Sequence, residues 1–479
     1  MRIKTRFAPS PTGKMHLGNA RTALFSALYA ASQNGIFLLR IEDTDIVRSE
    51  ERFTQVIYQD LTWLGLHWQE GSDQDQGNGP YFQSQRSAIY EKYYQLLLEK
   101  NLAYPCFCSD DELAISRKVQ LSSGKAPRYS GPCAELTSEA YRAKLAQGLK
   151  PTLRFHVPKG ISIKFLDFVK GEMDFNTDDF GDFIIRRADG TPSFMFCNAI
   201  DDALMGVTHV IRGDDHLTNT PRQLLILQML GLPVPEYGHV SMIFGYDGLP
   251  LSKRHGSSSL EDLKEAGYLS QAVMNYLARS GHHYADNHLM SFDELAKNFK
   301  LESLSASPAK FDSVQLDFWQ KLAIHSLSVE ALWAWMGDVV HQNIPDDRRD
   351  IFIETVRSNI VSPDQALSWA AIFFKDGLVF DEEKTAILKK AGHVFFDCAV
   401  KALHAHGNQA TLIMDALKKE LNVKGKDLFM PLRVALTGEM HGPELVKIFE
   451  ILGAEKVEAR LEKGLRETEN EIFSGNNAC

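Results

Sequence analysis

Pro9-Ser10-Pro11-Thr12-Gly13-Lys14-Met15-His16-Leu17-Gly18-Asn19 decides how the rest of the chain is read. Before it, residues 2–7 have the pattern of a strand; after it, residues 20–32 place Leu24, Phe25, Leu28 and Tyr29 at helical spacing. A strand, a Pro/Gly turn and a helix start make a place for an anion. The first turn of a helix carries unpaired N–H groups and the positive end of the macrodipole, and Gly13 and Gly18 let backbone come close to a phosphate. His16 then sits where a triphosphate would lie. The same turn also suits an ordinary capped helix with His16 on the surface, so a second feature has to decide.

Working outward, residues 36–41 (Ile-Phe-Leu-Leu-Arg-Ile) form a nearly continuous apolar run, the pattern of a strand buried on both faces of a parallel sheet. The opening of the chain thus reads strand, turn, helix, strand. The run ends in Glu42-Asp43-Thr44-Asp45, which puts carboxylates just past the C-terminal end of a strand, where open α/β sheets bind ligands. An acidic loop leading into the next helix is the alternative. Ser49 is expected to cap that helix, with Phe53, Val56, Ile57, Leu61 and Leu64 on one face and Gly65 at its end. Residues 71–80 read as a Gly-rich loop and residues 84–100 as a further amphipathic helix.

From Tyr104 the rhythm changes. Cys106, Cys108 and Cys133 cluster, residues 117–129 are basic and Ser/Gly-rich, and short strands are expected at 153–157, 161–165 and 183–187. This segment reads as an insertion. The β-α rhythm resumes at residues 194–200, 209–212 and the helix 220–230, punctuated by Pro221 and Gly231. Beyond Tyr237 the chain reads as largely helical, for instance at 260–267, 269–280, 329–338 and 443–452, with a boundary near 326–328. The tail 474–479 is short and polar and is expected to be disordered.

At 479 residues, 44% hydrophobic and 24% charged, the chain has the make-up of a multidomain globular protein. It has no apolar run of transmembrane length and no signal-peptide core after Met1-Arg2-Ile3-Lys4, so no membrane partner and a cytoplasmic location are expected. Six scattered cysteines suit a reducing compartment. A net charge of -10 argues against indiscriminate coating of nucleic acid, but leaves room for a specific complex through local basic stripes.

The second feature is Gly248-Leu249-Pro250-Leu251-Ser252-Lys253-Arg254-His255-Gly256-Ser257, a basic loop flanked by glycines. It suits a mobile segment bringing cations onto a phosphate as charge builds there. Together the two stretches resemble the paired signatures of class I aminoacyl-tRNA synthetases. Arg6-Phe7-Ala8-Pro9-Ser10-Pro11-Thr12-Gly13, Arg40-Ile41-Glu42-Asp43-Thr44-Asp45 and residues 207–216 (Val-Thr-His-Val-Ile-Arg-Gly-Asp-Asp-His) resemble the glutamyl/glutaminyl branch. Through Met430-Pro431-Leu432-Arg433-Val434-Ala435-Leu436-Thr437-Gly438 the likeness to bacterial glutamyl-tRNA synthetases extends to the end of the chain.

The resemblance implies an α/β fold: a Rossmann-type nucleotide-binding parallel sheet with a mixed α+β insertion, followed by all-α C-terminal domains. The implied divisions are a split catalytic domain at 1–104 and 191–237, an acceptor-end binding insertion at 105–190, a stem-contact domain at 238–327 carrying the Leu-Ser-Lys-Arg loop, and an anticodon-binding region at 328–479. It implies a monomer whose partners are tRNA, ATP and L-glutamate. In the reaction so implied, the α-carboxylate of glutamate attacks the α-phosphate of ATP to give glutamyl-adenylate and pyrophosphate, and the terminal adenosine of tRNA then takes the glutamyl group with release of AMP. Such chemistry rests on positioning and charge stabilisation rather than a protein nucleophile.

By the same resemblance, His16 and Lys253 are the catalytic pair, and Gly13, Gly18, Asn19, Ser252 and Arg254 complete the ATP site with Mg²⁺ carried on the phosphates. Arg6, Ala8, Ser10, Glu42, Phe194, Asn198 and Arg212 form the glutamate pocket, with Glu42 taking the α-amino group. Two positions depart from the family. Pro250 replaces the usual first lysine of the second signature, and Phe194 stands where a tyrosine is usual. The lost hydroxyl removes a hydrogen bond to a charged group of roughly 1.5 to 3 kcal/mol, unless water or Asn198 compensates.

Zinc-binding relatives use Cys-x-Cys with a distal Cys-x-His, and the shorter queuosine-tRNA paralogue uses Tyr-x-x-x-Cys. Here Glu135 holds the histidine position, so Cys106, Cys108, Tyr129 and Cys133 form the implied zinc set, with three buried thiols as the alternative. Some relatives exclude the glutamine tRNA with an arginine near Val356-Arg357-Ser358-Asn359, and either Arg357 or Asn359 aligns there. Charging of both tRNAs therefore stays open. A nucleotidyltransferase or the queuosine paralogue would lack the helical half, a glutaminyl enzyme would end in β-barrels, and an inactive tRNA-binding paralogue would not need His16, Lys253, Arg6 and Arg212.

Overall fold

The structure is a computed structural model and describes residues 2–45, 48–124, 126–249, 251 and 259–469. It divides into two compact units, 1–264 with 270–316, and 265–269 with 317–479.

In the first unit β1 (Lys4–Phe7) pairs in parallel with β2 (Ile36–Leu39), and α1 (Leu17–Ser32) connects them. Phe37, Leu38 and Leu39 are all buried, which is why the run is apolar without alternation. α1 buries Leu17, Ala20, Leu24, Phe25 and Leu28. It starts at Leu17 rather than Ala20, with His16 in the extended conformation of a cap (φ -71°, ψ 153°). Gly18 and Asn19 therefore lie in the first helical turn.

In the next helix, α2 (Glu51–Trp63), Glu50 and not Ser49 holds the position before the first turn, with no side-chain capping bond. Ser49 N–H donates to the Asp45 carbonyl at 2.9 Å and Glu50 N–H to the Pro11 carbonyl at 3.1 Å, so this stretch is tied into loops before the helix begins. Gly65 takes φ +80°, the left-handed geometry that ends the helix. A 3₁₀ turn (Gln83–Arg86) precedes α3 (Ser87–Glu99).

The inserted segment contains β3 (Ala103–Cys106), α4 (Asp110–Ser122), α5 (Ser138–Ala146), β4 (Thr152–Phe155), β5 (Ser162–Asp167), β6 (Gly171–Asn176) and β7 (Phe183–Arg186). Part of the basic 117–129 stretch is thus helical: Ser109 and Glu112 form a reciprocal capping box at the start of α4. β3, β4 and β7 make an antiparallel sheet. β5 behaves differently. It pairs antiparallel with β6 and, at Asp167 opposite Tyr237, in parallel with the later strand β9 (Glu236–Val240).

α6 (Phe194–Leu204), β8 (His209–Gly213), α7 (Thr220–Leu230) and β9 (Glu236–Val240) follow, giving a sheet of order β6-β5-β9-β8. Thr208 N–H donates to the Lys4 carbonyl at 2.8 Å, bringing the start of β8 to β1. Two expected borders meet this sheet: β5 and β6 of the insertion join it, and β9 runs across position 237/238. Short parallel strands β10 (Ile243–Phe244) and β11 (Ala309–Lys310) also occur in the part of the chain that reads as largely helical. The core beneath is aromatic, with Phe196 stacked on Tyr94 at 4.3 Å.

The second unit is helical around Phe352, Phe373, Phe396, Leu432 and Phe449, all essentially solvent-free. Its division at 316/317 precedes the expected 327/328 border. The helix expected at 443–452 belongs to Leu445–Glu469, which breaks at Gly453 (φ 74°, ψ 165°), a conformation open to glycine. The tail 474–479 lies outside the described residues.

Candidate active site

A cavity of about 490 Å³ opens beside the C-terminal ends of β1 and β8. Arg6, Ala8, Ser10, His16, Gly18, Asn19, Glu42, Phe194, Asn198 and Arg212 all line it. Gly13 is not part of its lining, although Thr12 and His16 on either side of it are. Pro250, Ser252, Lys253 and Arg254 lie outside the described residues, although described neighbours come near the cavity. Leu251 lines it, while Ser259 bridges His16 and Leu260 N–H donates to the Met15 carbonyl at 3.1 Å.

At the α1 end the site offers backbone rather than side chains. His16 makes no side-chain capping bond, and the first turn holds no acidic residue. The N–H groups there and the positive helix end remain available to an anion. A Cβ built on Gly18 would meet nothing within 4 Å, so the missing side chain leaves open space.

The opposite wall rests on buried charge. Arg40 Nη1 donates to Asp202 Oδ1 at 2.7 Å and its Nη2 to Glu42 Oε1 at 3.2 Å. Burial opposes the charge on Arg40, but Asp202, Asp201 and Glu42 outweigh it and hold the guanidinium above its ordinary value. Arg6 Nε donates to Asp202 Oδ2 and its Nη1 to the Ile211 carbonyl, both at 3.3 Å. Asp201 takes Arg86 Nε at 2.7 Å, Tyr90 Oη at 2.8 Å and Gln83 Nε2 at 2.9 Å. Burial raises Glu42 above the usual carboxylate range, against the pull of Arg40 and Asn198.

Asn198 is largely engaged: Nδ2 donates to Glu42 Oε1 at 2.6 Å and Oδ1 accepts from Gln223 at 2.9 Å. It holds Glu42 in place, so its compensation for the absent tyrosine hydroxyl is limited to the second amide hydrogen. The Phe194 ring instead stacks on His216 at 5.0 Å. Burial and the charge of Arg212 push His216 down to about 4.

Arg212 is 4% exposed and has no carboxylate partner among the described residues. Nε donates to His239 Nε2 at 3.0 Å and Nη2 to Thr220 Oγ1 at 2.7 Å, while Nη1 is buried with no partner among the described residues. Burial lowers this guanidinium to about 10. It is poised for an anion.

Sequence reading missed several residues at the cavity, including Arg21, His216 and Ser241. Arg21 carried a signal: it interrupts the apolar stripe of α1 between Leu17 and Leu24. The structure turns it inward onto the Ser241 and Ser280 carbonyls. His216 closes the 207–216 stretch, where it was not singled out, and Ser241 carried no mark.

A separate cluster lies in the insertion. The sulfurs of Cys106, Cys108 and Cys133 lie within 4.8 Å of one another, and Tyr129 Oη is 3.2 Å from Cys106 Sγ and 3.4 Å from Cys108 Sγ. Cys108 and Cys133 are 3.7 Å apart. A tetrahedral zinc with sulfur legs of about 2.3 Å requires sulfurs about 3.8 Å apart. Burial opposes ionisation of Cys106, but Tyr129 and Arg154 bring its thiol down to about 7, whereas burial drives Cys108 up to about 12. Glu135 is exposed and makes no part of the cluster.

Residues 2–318 match the family described as tRNA synthetases class I (E and Q), catalytic domain. The chain belongs to the class I tRNA synthetases. Residues 328–465 of this class I synthetase match the family described as anticodon binding domain. It is 53% identical over 461 residues to glutamate–tRNA ligase 2 of Coxiella burnetii, covering 96% of this chain and 99% of that one. With glutamate–tRNA ligase 2 of Nitrosococcus oceani the identity is 51% over 460 residues, 96% and 98% of the two chains. The crystal structure of glutamate-tRNA synthetase from Elizabethkingia anophelis superimposes with a TM-score of 0.84 at 28% identity, covering 97% of this synthetase and 100% of that chain. No helix among the described residues is long and apolar enough to cross a membrane.

Proposed function

We propose that this class I synthetase is a glutamate–tRNA ligase, which activates L-glutamate with ATP and passes the glutamyl group to the 3′-terminal adenosine of tRNA(Glu). The observation that carries this reading is the buried Arg212, whose Nη1 lacks a partner among the described residues in a cavity shared with Arg6, Glu42 and the open start of α1. A dicarboxylic amino acid supplies anions for the arginines and an ammonium for Glu42. Ala8 and Ser10 border the amino acid, and Phe194 and Asn198 close the pocket. His16, Gly18 and Asn19 hold the ATP phosphates, whose Mg²⁺ supplies charge neutralisation. Lys253, with Ser252 and Arg254, contacts the departing pyrophosphate.

The insertion takes the acceptor end of tRNA. In support, a groove of about 850 Å³ borders Phe194 and sets Phe180, Phe183, Arg128 and Arg187 among Asp110, Asp182 and Asp189, so that aromatic rings and arginines are there for a single strand although the lining is of mixed charge. Residues 328–479 read the anticodon, in keeping with the family match at 328–465. Cys106, Cys108, Cys133 and Tyr129 hold a structural zinc, supported by their near-tetrahedral spacing. Elemental analysis of chelator-free protein returning well under one zinc per chain would remove the metal.

ATP–pyrophosphate exchange tests the main reading, run with glutamate, glutamine or no amino acid, each with and without tRNA. Exchange driven by glutamine and not by glutamate would overturn it. A second reading, that tRNA(Gln) is also charged, is favoured by one observation. Arg357 Nη1 donates to the Leu327 and His325 carbonyls at 2.9 and 3.3 Å, which occupies it within the fold, and the other aligned position is Asn359. Charging assays on both purified tRNAs separate the two readings.

A further inference from the structure

β8 brings Arg212 to the cavity, and β9 sets His239 opposite it in parallel register. Arg212 Nε–H donates to His239 Nε2 at 3.0 Å. A ring nitrogen that accepts an N–H carries a lone pair, so Nε2 is unprotonated and the proton resides on Nδ1. Nδ1 lies 2.5 Å from Asp167 Oδ2. Asp167 is itself fixed: Oδ1 accepts the backbone N–H groups of Val169 and Lys170 at 2.8 Å and of His239 at 3.2 Å. Thr220 Oγ1 joins the far side, 2.9 Å from His239 Nε2 and 2.7 Å from Arg212 Nη2. All three supporting side chains are buried.

We propose that Asp167 and His239 are positioning residues for the amino-acid site: Asp167 fixes the Nδ1–H tautomer of His239, whose Nε2 then orients Arg212 with Nη1 turned to the substrate carboxylate. This rests on the reading of Arg212 as a glutamate contact. The imidazole has a reason to stand between the two charges. A carboxylate placed directly on Arg212 would neutralise it, whereas a neutral ring directs the guanidinium and leaves its charge for the ligand. The groups facing His239 are Asp167 from β5, Arg212 from β8, Arg6 from β1, Tyr237 on its own strand and His216 beyond β8. Burial holds the ring below its ordinary protonation range, which keeps the accepting form.

Asp167→Asn tests the tautomer directly. The asparagine oxygen stays on the backbone N–H groups, so its NH₂ faces His239 Nδ1, and the ring proton moves to Nε2 against Arg212 Nε–H. The expected result is a rise of about tenfold or more in the KM for glutamate in pyrophosphate exchange, with the KM for ATP changed less than about twofold. His239→Leu should match it, and His239→Gln, which restores an acceptor, should recover most of the loss. A parallel rise in both KM values, or no rise in either, overturns the proposal. Arg212→Lys separates the layers. If it leaves the KM for glutamate unchanged, the glutamate-contact reading fails; if it raises that KM while Asp167→Asn and His239→Leu do not, the positioning role fails. Nitrogen-15 spectra of the unaltered protein give an answer free of variant folding, with the His239 signals assigned through His239→Gln: Nδ1–H is expected, and Nε2–H overturns the proposal.

Discussion

The backbone of His16 pairs with that of Ser259 in an isolated antiparallel bridge. The residue that caps α1 thus touches the chain just after the basic 248–257 stretch, whose Leu251 lines the same cavity. Leu251 and Ser259, on either side of the basic cluster in sequence, thus both come close to the turn before α1. His16→Ala should therefore lower glutamate-dependent pyrophosphate exchange by about 100-fold or more. Binding of tRNA, read by filter retention, should stay within about twofold; equal losses in both would contradict an ATP-facing role.

Pro250 leaves the second signature one cation short, so Lys253 is expected to carry the leaving-group contact. Lys253→Ala should depress kcat for exchange by about 100-fold with little change in the KM for glutamate. Combined with His16→Ala the loss should be clearly smaller than the product of the single effects, because both residues act on one transition state. Full multiplicativity would argue for separate steps.

Phe194 stacks on His216 and has no hydroxyl to offer the substrate. Phe194→Tyr should lower the KM for glutamate by about tenfold, the lower end of what a hydrogen bond to a charged group contributes. Steady-state exchange kinetics decide it, and an unchanged or higher KM would mean the pocket has adapted to phenylalanine.

Glu42 titrates above its ordinary value of 4.5 because it is buried, and only its ionised form holds an ammonium. As pH falls from neutral, glutamate affinity should drop at a higher pH than an ordinary glutamate would dictate, and Glu42→Gln should abolish that inflection. The sign for folding is opposite. A carboxyl with a raised folded pKa contributes stability at low pH that is lost as pH rises through that value. Calorimetric titration of glutamate across pH, alongside thermal unfolding, distinguishes lost binding from lost structure.

Arg40 is wholly buried between Asp202 and Glu42. Arg40→Met should cost about 3–5 kcal/mol in denaturant unfolding, since it leaves buried carboxylates without their counter-ion. A loss under about 1 kcal/mol would show that the carboxylates take up protons or water instead.

Much of this site could be read from the chain because its parts are local. The strand-turn-helix around His16, the apolar run at 36–41 and the Cys106/Cys108 pair each lie in one short segment. What escaped depends on distant partners. Asp201 and Asp202 carry no mark in the sequence, and it is Arg40, Arg86 and Arg6 from other segments that pair with them in the fold. His239 fell beyond the expected end of the sheet, because β9 carries too little alternation to separate it from the helices that follow. Ser49 had the chemistry of a cap, but hydrogen bonds to the preceding loop moved the helix start past it.

Phe194 borders both the 490 Å³ cavity and the 850 Å³ groove of the insertion. One ring is a party wall between two rooms. If the small room is where glutamate is activated and the large one receives the tRNA end, the acyl group passes this ring between the two half-reactions. Its bulk then stands where the incoming tRNA hydroxyl must approach the activated carboxyl and AMP must leave, so this position bears on the second half-reaction as well as on affinity.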